Sequence, residues 1–296
     1  MNILLTGATG YIGRHLGLRL LEKPDLSLRL FVRDASRIPD FLQNRTEIVV
    51  GDTLQPDTLQ KALEEIDTAY YLIHSMGAKG DFEDKDRVSA QNFRDACINA
   101  GVKRIIYLGG LGEIKTASKH LLSRIETGEI LSKKSDKIQT IWFRAGIIIG
   151  SASASFQIIR QLIRKLPVMT TPRWVRTKTS PIGVDNVLDY LIEAIDLEND
   201  QNQIIDIGTD SMSFKDMLIR ASKVMGRKTW LIPIPLLSPR LSSYWLLFIT
   251  PVSFRIAKAL VDGLKSETVK TNNNARLFFS HIEPITFEEA VKRALA

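Results

Sequence analysis

The sequence predicts an α/β fold, a doubly wound parallel sheet with helices on both faces and a smaller C-terminal region. Three observations carry this. The chain opens on a short apolar run, a glycine-rich turn and a helical segment. Short apolar runs then alternate with amphipathic segments up to about Gly150, which calls for a parallel sheet covered on both sides. Beyond Gly150 the alternation loosens into short strands, helices and proline-rich turns.

Taken in order, Ile3 to Leu5 is too short for a helix and forms the first strand. Ile12, Leu16 and Leu20 then recur at helical spacing. Leu28 to Val32 and Glu47 to Val50 are the second and third strands, and Pro56 to Ile66 is helical. Thr68 to Ile73 is the fourth strand, and Asp84 to Ala100 is a long helix closed by Gly101. Arg104 to Leu108, the helix Ala117 to Ser132 and the strand Thr140 to Phe143 complete a core spanning 1–150. Residues 151–296 read as a mixed region.

The opening turn has Gly7, Gly10 and Gly13 three residues apart. Glycines let the backbone bend sharply and approach a pyrophosphate, while the free N–H groups and partial positive charge of a helix start meet its negative charge. A dinucleotide is the expected guest. After the second strand, Arg33 and Arg37 are four apart and could clamp a 2′-phosphate, which favours NADP over NAD. Asp34 offers the opposite reading, a bond to ribose, and an Arg33–Asp34 ion pair on a helix face is a third.

Thr-Gly-x-x-Gly-x-x-Gly resembles the short-chain dehydrogenase/reductase superfamily in its extended or atypical branches, a family with a Rossmann sheet. Val32-Arg33-x-x-x-Arg37 resembles its NmrA-like members, and Gly51-Asp52 its Gly-Asp pair, whose carboxylate receives the adenine amino group. Thr179 to Val187 resembles an element that returns the chain to the sheet, with Asp185 as cap or anchor. By the same resemblance 151–296 is a substrate and cap region, with about 178–210 returning to the main sheet. The resemblance implies a cofactor set of Gly7, Thr9, Gly10, Tyr11, Ile12 and Gly13 in the turn, with Arg33 and Arg37 after the second strand. It adds Asp52 and Thr53, His74 and Ser75 after the fourth strand, Leu108 and Gly109 on the fifth, Arg124, and Ala145 at the sixth. His74 would face the nicotinamide ribose or the cleft, the alternative being a structural histidine.

Reduction in this superfamily uses Tyr-x-x-x-Lys, the tyrosine donating a proton and the lysine lowering its pKa. Here the pattern reads His120-Leu-Leu-Ser123-Arg124, with glycines at 109 and 110 where a serine usually stands. An arginine cannot tune a neighbour as a lysine does. His120 can act as an acid near neutral pH, so His120, Arg124 and His74 are the catalytic candidates. The alternative is an exposed His120, with Arg124 paired to Glu126 or Glu129.

The stretches at Tyr71, Tyr107 and Pro167 resemble bacterial proteins described as NAD(P)-binding or as nucleoside-diphosphate-sugar epimerases, although true epimerases depend on the absent dyad. Three functions are thus expected: a reductase or isomerase of an apolar carbonyl compound or a sugar nucleotide, a non-catalytic redox sensor, or a structural subunit. The last resembles the Rossmann-type accessory subunit of respiratory complex I, which contacts a membrane-facing partner. Arg173, Trp174 and Arg176 read as a cationic mouth for an anionic head or as a plain hairpin edge.

Hydrophobic residues make up 44% of the 296 and charged residues 25%, as in globular proteins. The net charge of +7 is scattered, with no nucleic-acid motif. The single cysteine, Cys97, lies at a helical core position and is read as buried. The four histidines, His15, His74, His120 and His281, are dispersed, so no metal site is expected. The first strand begins at Asn2, leaving no room for a signal peptide, so a cytoplasmic monomer or homodimer is expected. The apolar stretch 230–264 has no run near the roughly 20 residues that cross a bilayer. It reads either as a cap over the cleft or as a surface at lipid headgroups, and both favour an apolar small-molecule substrate.

Overall fold

The computed structural model describes residues 1–74, 82–233, 262–263 and 266–296, without the side chains of Arg173, Trp174 and Pro233. Ser75 and residues 234–261 of the apolar stretch therefore lie outside the described residues.

Among the described residues, seven parallel strands form the main sheet. They are β1 (Asn2–Thr6), β2 (Ser27–Val32), β3 (Glu47–Val50), β4 (Thr68–Tyr71), β5 (Arg104–Gly110), β6 (Gln139–Ala145) and, much later, β11 (Gln203–Ile207). Their order is β3-β2-β1-β4-β5-β6-β11. Ile3 to Thr6 are all buried, as expected of a central strand covered on both faces. The edge strand β3 buries only Val49 fully.

One face carries α1 (Tyr11–Leu20), α7 (Val184–Glu193) and α9 (Asn274–Phe278), whose Leu16, Leu20, Val187 and Leu191 pack with Leu5, Phe143 and Phe279. The other carries α3 (Pro56–Ala62), α4 (Phe82–Asn99) and α5 (Lys119–Leu131), burying Leu59, Phe93, Cys97, Ile125 and Trp142. Cys97 is fully enclosed, and its thiol is pushed well above its ordinary range by burial. A third cluster joins α6 (Ala154–Lys165), α8 (Phe214–Val224) and α10 (Phe287–Leu295) through Phe156, Met217 and Val291. The C-terminal region thus has its own core.

Two differences from the sequence reading have local causes. The third helix stops at Ala62 rather than Ile66, because Glu65 turns to φ +58 and aims the buried Ile66 toward β4. The element at Thr179 to Val187 does not rejoin the main sheet. Its strand β10 (Ile182–Gly183) pairs with β7 (Ile148–Ile149); within the expected 178–210 it is β11 that returns to the main sheet. Asp185 anchors as expected, accepting from Arg19 at 3.5 Å and Arg293 at 3.1 Å.

β11 is pinned by a buried ion pair. Asp206, fully enclosed, lies opposite Arg144 in register and accepts from its Nε at 2.7 Å. Asp206 also accepts the amides of Thr271 at 2.6 Å and Asn272 at 3.2 Å, and the Thr271 hydroxyl at 2.9 Å. The chain returning at Ser266 is laced across the carboxyl ends of the strands by these bonds. Thr268 adds to them through Thr179 at 2.7 Å.

Candidate dinucleotide and active site

The strand order reverses between β1 and β4, and at such a switch point the carboxyl ends of the strands open a crevice. The glycine turn fills its floor. The Gly10 amide donates to the Gly7 carbonyl at 2.9 Å, and Gly7 takes φ +72, a region that glycine enters without strain. A Cβ on Gly7 would overlap the Leu72 carbonyl, its carbon only 2.8 Å away. One on Gly13 would overlap Gly7, with the Gly7 carbon at 2.8 Å. Thr6 clamps the two central strands, its Oγ1 donating to the Tyr70 carbonyl at 2.8 Å and accepting the Leu72 amide at 3.1 Å.

Helix α1 then starts at Tyr11 with no side-chain cap and no acid in its first turn. Its leading amides have no intrahelical partner and suit an anion. Tyr11 turns its ring edge-on to His15, at 4.7 Å, and its hydroxyl toward Gly150. The turn thereby meets the C-terminal region. Thr9 and Ile12 are half-buried beside it.

Arg33 and Arg37 are exposed beyond β2, and among the described residues neither guanidinium forms a hydrogen bond or an ion pair, although the charge of Arg37 acts on the nearby Asp34 carboxyl. Asp34 does not form the ion pair with Arg33. It caps the short turn Ala35–Arg37, accepting the Ser36 amide at 3.0 Å and hydroxyl at 2.6 Å. Those bonds hold its carboxyl below the usual range. Asp52 accepts the Leu54 amide at 3.0 Å and stays half-buried at the end of β3. Thr53 is turned away from the crevice: its hydroxyl is buried, 2.6 Å from Ser89 on α4, which also bonds Tyr71 at 2.7 Å.

A dinucleotide with its pyrophosphate over Gly7 and its adenosine toward Arg33 must extend its other half over β4, β5 and β6. There the structure gathers His74, Leu108, Gly109, Ala145, His120 and Arg124. Leu108, Gly109 and Ala145 are small or apolar and buried. Arg124 reaches back from α5, its Nη2 donating to the Leu108 carbonyl at 2.5 Å. It does not pair with Glu126, which binds Arg87 at 2.6 Å. The Arg124 carbonyl accepts the Tyr107 hydroxyl at 2.9 Å. That phenol is pushed up to about 12 by burial. Behind this wall Trp142 is wedged between Gly109 and Gly128, where any Cβ would overlap the indole.

His120 stacks on Phe82, ring centroids 4.3 Å apart and planes 12° off parallel. Beneath lies Asp86 on α4, buried, accepting the Ser123 hydroxyl at 2.8 Å. His74 is open to solvent on one side and crowded by protein on the others, as on a concave wall. That crowding is the main reason its pKa falls to about 4; Arg124 and His120 lower it further and Asp86 opposes them. Burial lowers His120 as well, against Asp86. Both imidazoles are therefore neutral near pH 7. His120 thus meets a ligand as a neutral imidazole.

The shifts set a test. An unfolded histidine binds a proton near pH 6.5, whereas folded His74 binds one only near 4. Lowering the pH through that window favours the unfolded chain. The lowered carboxyls of Asp34 and Asp67 are ordinarily near 3.8 and act below it. Replacing both His74 and His120 by asparagine is expected to flatten the fall in melting temperature between pH 6.5 and 4. An unchanged slope would refute the assignment.

The comparisons with known proteins agree with this geometry. Residues 7–140 match the NAD(P)H-binding family model. This part of the chain is similar to NAD(P)H-binding domains. Over 267 residues the protein is 24% identical to UDP-glucose 4-epimerase of Vibrio cholerae, covering 79% of each chain. Over 240 residues it is 25% identical to ceramide reductase of Caulobacter vibrioides, covering 79% of this chain and 73% of that one. Triphenylmethane reductase of Citrobacter sp. shares the fold, with 21% identity and a TM-score of 0.79 over 100% of this chain and 99% of that one. Its structure complexed with NADP(H) superimposes with a TM-score of 0.77, at 20% identity over 99% of both chains. The matched residues include the glycine turn, Arg33, Arg37, Asp52, His74, Leu108, Gly109, His120 and Arg124, while Ala145 follows them.

Sequence reasoning missed Asp86 and Ser89. A signal for Asp86 existed: it falls on the apolar stripe of α4, in helical step with Ala90, Phe93 and Cys97. An acid on such a stripe is buried only when something polar receives it. Its partner Ser123 is far along the chain.

Proposed function

We propose that the chain is an atypical short-chain dehydrogenase/reductase that uses NADPH to reduce an apolar carbonyl compound. The observation that carries this reading is the pair Arg33 and Arg37, exposed beyond β2 with neither guanidinium held in a described hydrogen bond or ion pair, where this reading puts the adenosine end of the dinucleotide. A 2′-phosphate would bring both guanidinium groups a charge-assisted partner. The reductase names of the Caulobacter and Citrobacter relatives, for ceramide and for triphenylmethane dyes, support an apolar substrate.

When bound, NADPH supplies the hydride. The leading amides of α1 hold its pyrophosphate, and Arg33 and Arg37 its 2′-phosphate. Arg124, fixed on the Leu108 carbonyl, has further N–H groups to offer to ribose hydroxyls or to an oxygen gaining negative charge. A neutral His120 places an N–H at the same end of the crevice, positioned by its stack on Phe82. It can hydrogen-bond the carbonyl oxygen as negative charge develops there, while water supplies the proton that completes the alcohol.

Replacing Arg33 by alanine is expected to weaken NADPH binding roughly 10- to 100-fold, the loss of one or two charge-assisted bonds, and NADH binding less than about twofold. Equal losses would refute the 2′-phosphate assignment. Turnover is tested by NADPH oxidation with quinones, enones and long-chain ketones. Tight binding without oxidation of any of them would favour a sensor or structural subunit, and interconversion of UDP-sugars would favour the epimerase relative.

A further inference from the structure

A second surface lies far along the chain from the glycine turn. Strand β8 (Val168–Thr171) pairs in parallel with β13 (Trp230–Pro233), Trp230 opposite Val168 and Ile232 opposite Thr170. Alternation along a strand sends neighbours to opposite faces. Met169 and Leu231 accordingly pack into the third core cluster. The other face holds Val168, Thr170, Trp230 and Ile232, with Trp230 69% exposed, Val168 51% and Ile232 50%. An apolar face of this kind on a strand pair is exceptional for a surface.

At its foot is a hollow of about 550 Å³, lined by Ile163, Pro167, Met225 and the exposed cations Arg164, Arg227 and Lys228, with no acid. The charge pattern extends beyond it. From Lys137 to Val184 the chain has eight Lys or Arg and no Asp or Glu, and from Met217 to Val261 it has seven and again none. These two acid-free windows are the ones that meet in the β8–β13 ribbon.

We propose that this ribbon is a docking surface for an anionic lipid bilayer. Trp230, Val168 and Ile232 enter the headgroup–acyl boundary, while Arg164, Arg227 and Lys228 meet lipid phosphates. An indole with apolar neighbours and a polar rim suits the interface of a membrane, and the acid-free cationic rim complements a negative leaflet. No helix among the described residues is long and apolar enough to cross a membrane, so the contact is peripheral. A membrane foothold would also bring the protein to the phase in which apolar compounds dissolve.

The test is sedimentation of the full chain with vesicles of phosphatidylcholine alone or mixed equally with phosphatidylglycerol. The expected result is binding to the anionic vesicles at least tenfold tighter than to the neutral ones, weakened by salt. Trp230→Ser and, independently, Ile232→Ser are expected to lower it at least fivefold. Arg227→Glu should lower it about fivefold on anionic vesicles only, and each variant should keep wild-type NADPH binding as evidence of folding. Wild-type protein that stays in the supernatant would overturn the proposal, as would variants that sediment like wild type. A solution dimer that Trp230→Ser dissociates would overturn it too, by assigning the face to a second copy.

Discussion

Replacing Gly7 by alanine is expected to abolish measurable NADPH binding, a loss of roughly 100-fold or more, equivalent to about 2.7 kcal/mol. It should also lower the melting temperature. Two effects combine. The left-handed φ of +72 costs a residue with a Cβ about 1–2 kcal/mol. The new methyl group also meets backbone, not a flexible side chain: the Leu72 carbon would be 2.8 Å away. Either the turn opens or β4 moves, and both displace the leading amides of α1. Gly10→Ala is the control, since its Cβ meets only the Gly7 carbonyl oxygen, at 3.2 Å, and its φ of −82 suits any residue. It should fold like wild type, and any affinity it loses reports how closely the pyrophosphate approaches. Wild-type NADPH affinity in Gly7→Ala would place the cofactor elsewhere.

Asp206→Ala is expected to destabilise the protein by about 3–5 kcal/mol, a fall of roughly 10 °C in melting temperature. The carboxylate satisfies Arg144, the Thr271 amide and hydroxyl, and the Asn272 amide together. Removing it leaves a mostly buried guanidinium without its partner and two amides unpaired. The pair joins β6, β11 and the returning chain, so the loss reaches the carboxyl end of the sheet. NADPH affinity should fall less than stability does, because Asp206 does not face the glycine turn. A melting temperature within 2–3 °C of wild type, less than about 1 kcal/mol, would refute the ion pair's role.

The first six strands were legible because each signal was local. β1 to β6 are short apolar runs separated by helices with caps or prolines, such as Ser118 before α5 and Pro56 opening α3. The glycine turn was legible for the same reason, since Gly10 and Gly13 answer to Gly7 close by in sequence, although Gly7 itself answers to Leu72 on the neighbouring strand's end. Other features depend on where distant segments meet. Glu65 ended a helix that its apolar spacing extended to Ile66. The return to the sheet was looked for at Thr179 because the resemblance pointed there, while β11 carries an acid, Asp206, in its middle and reads poorly as a buried strand. That acid is tolerated only because Arg144 and Thr271 surround it. Within the site, residue types were readable but protonation was not: His120 looked like an acid by its ordinary pKa, and packing lowers it. Asp86 and Thr53 were decided by helix α4, whose inward polar side chains sequence spacing alone does not match with their partners.

Trp142 has a spectroscopic consequence. Its indole is clamped between Gly109 and Gly128, excluded from water, and one strand-width from the carboxyl end of β5, over which the proposed function puts the reduced nicotinamide. A rigid, dry indole emits in the band where reduced nicotinamide absorbs. Excitation energy can then pass from the tryptophan to the bound cofactor and leave as the cofactor's own light, so the occupied protein carries an internal optical gauge that needs no label.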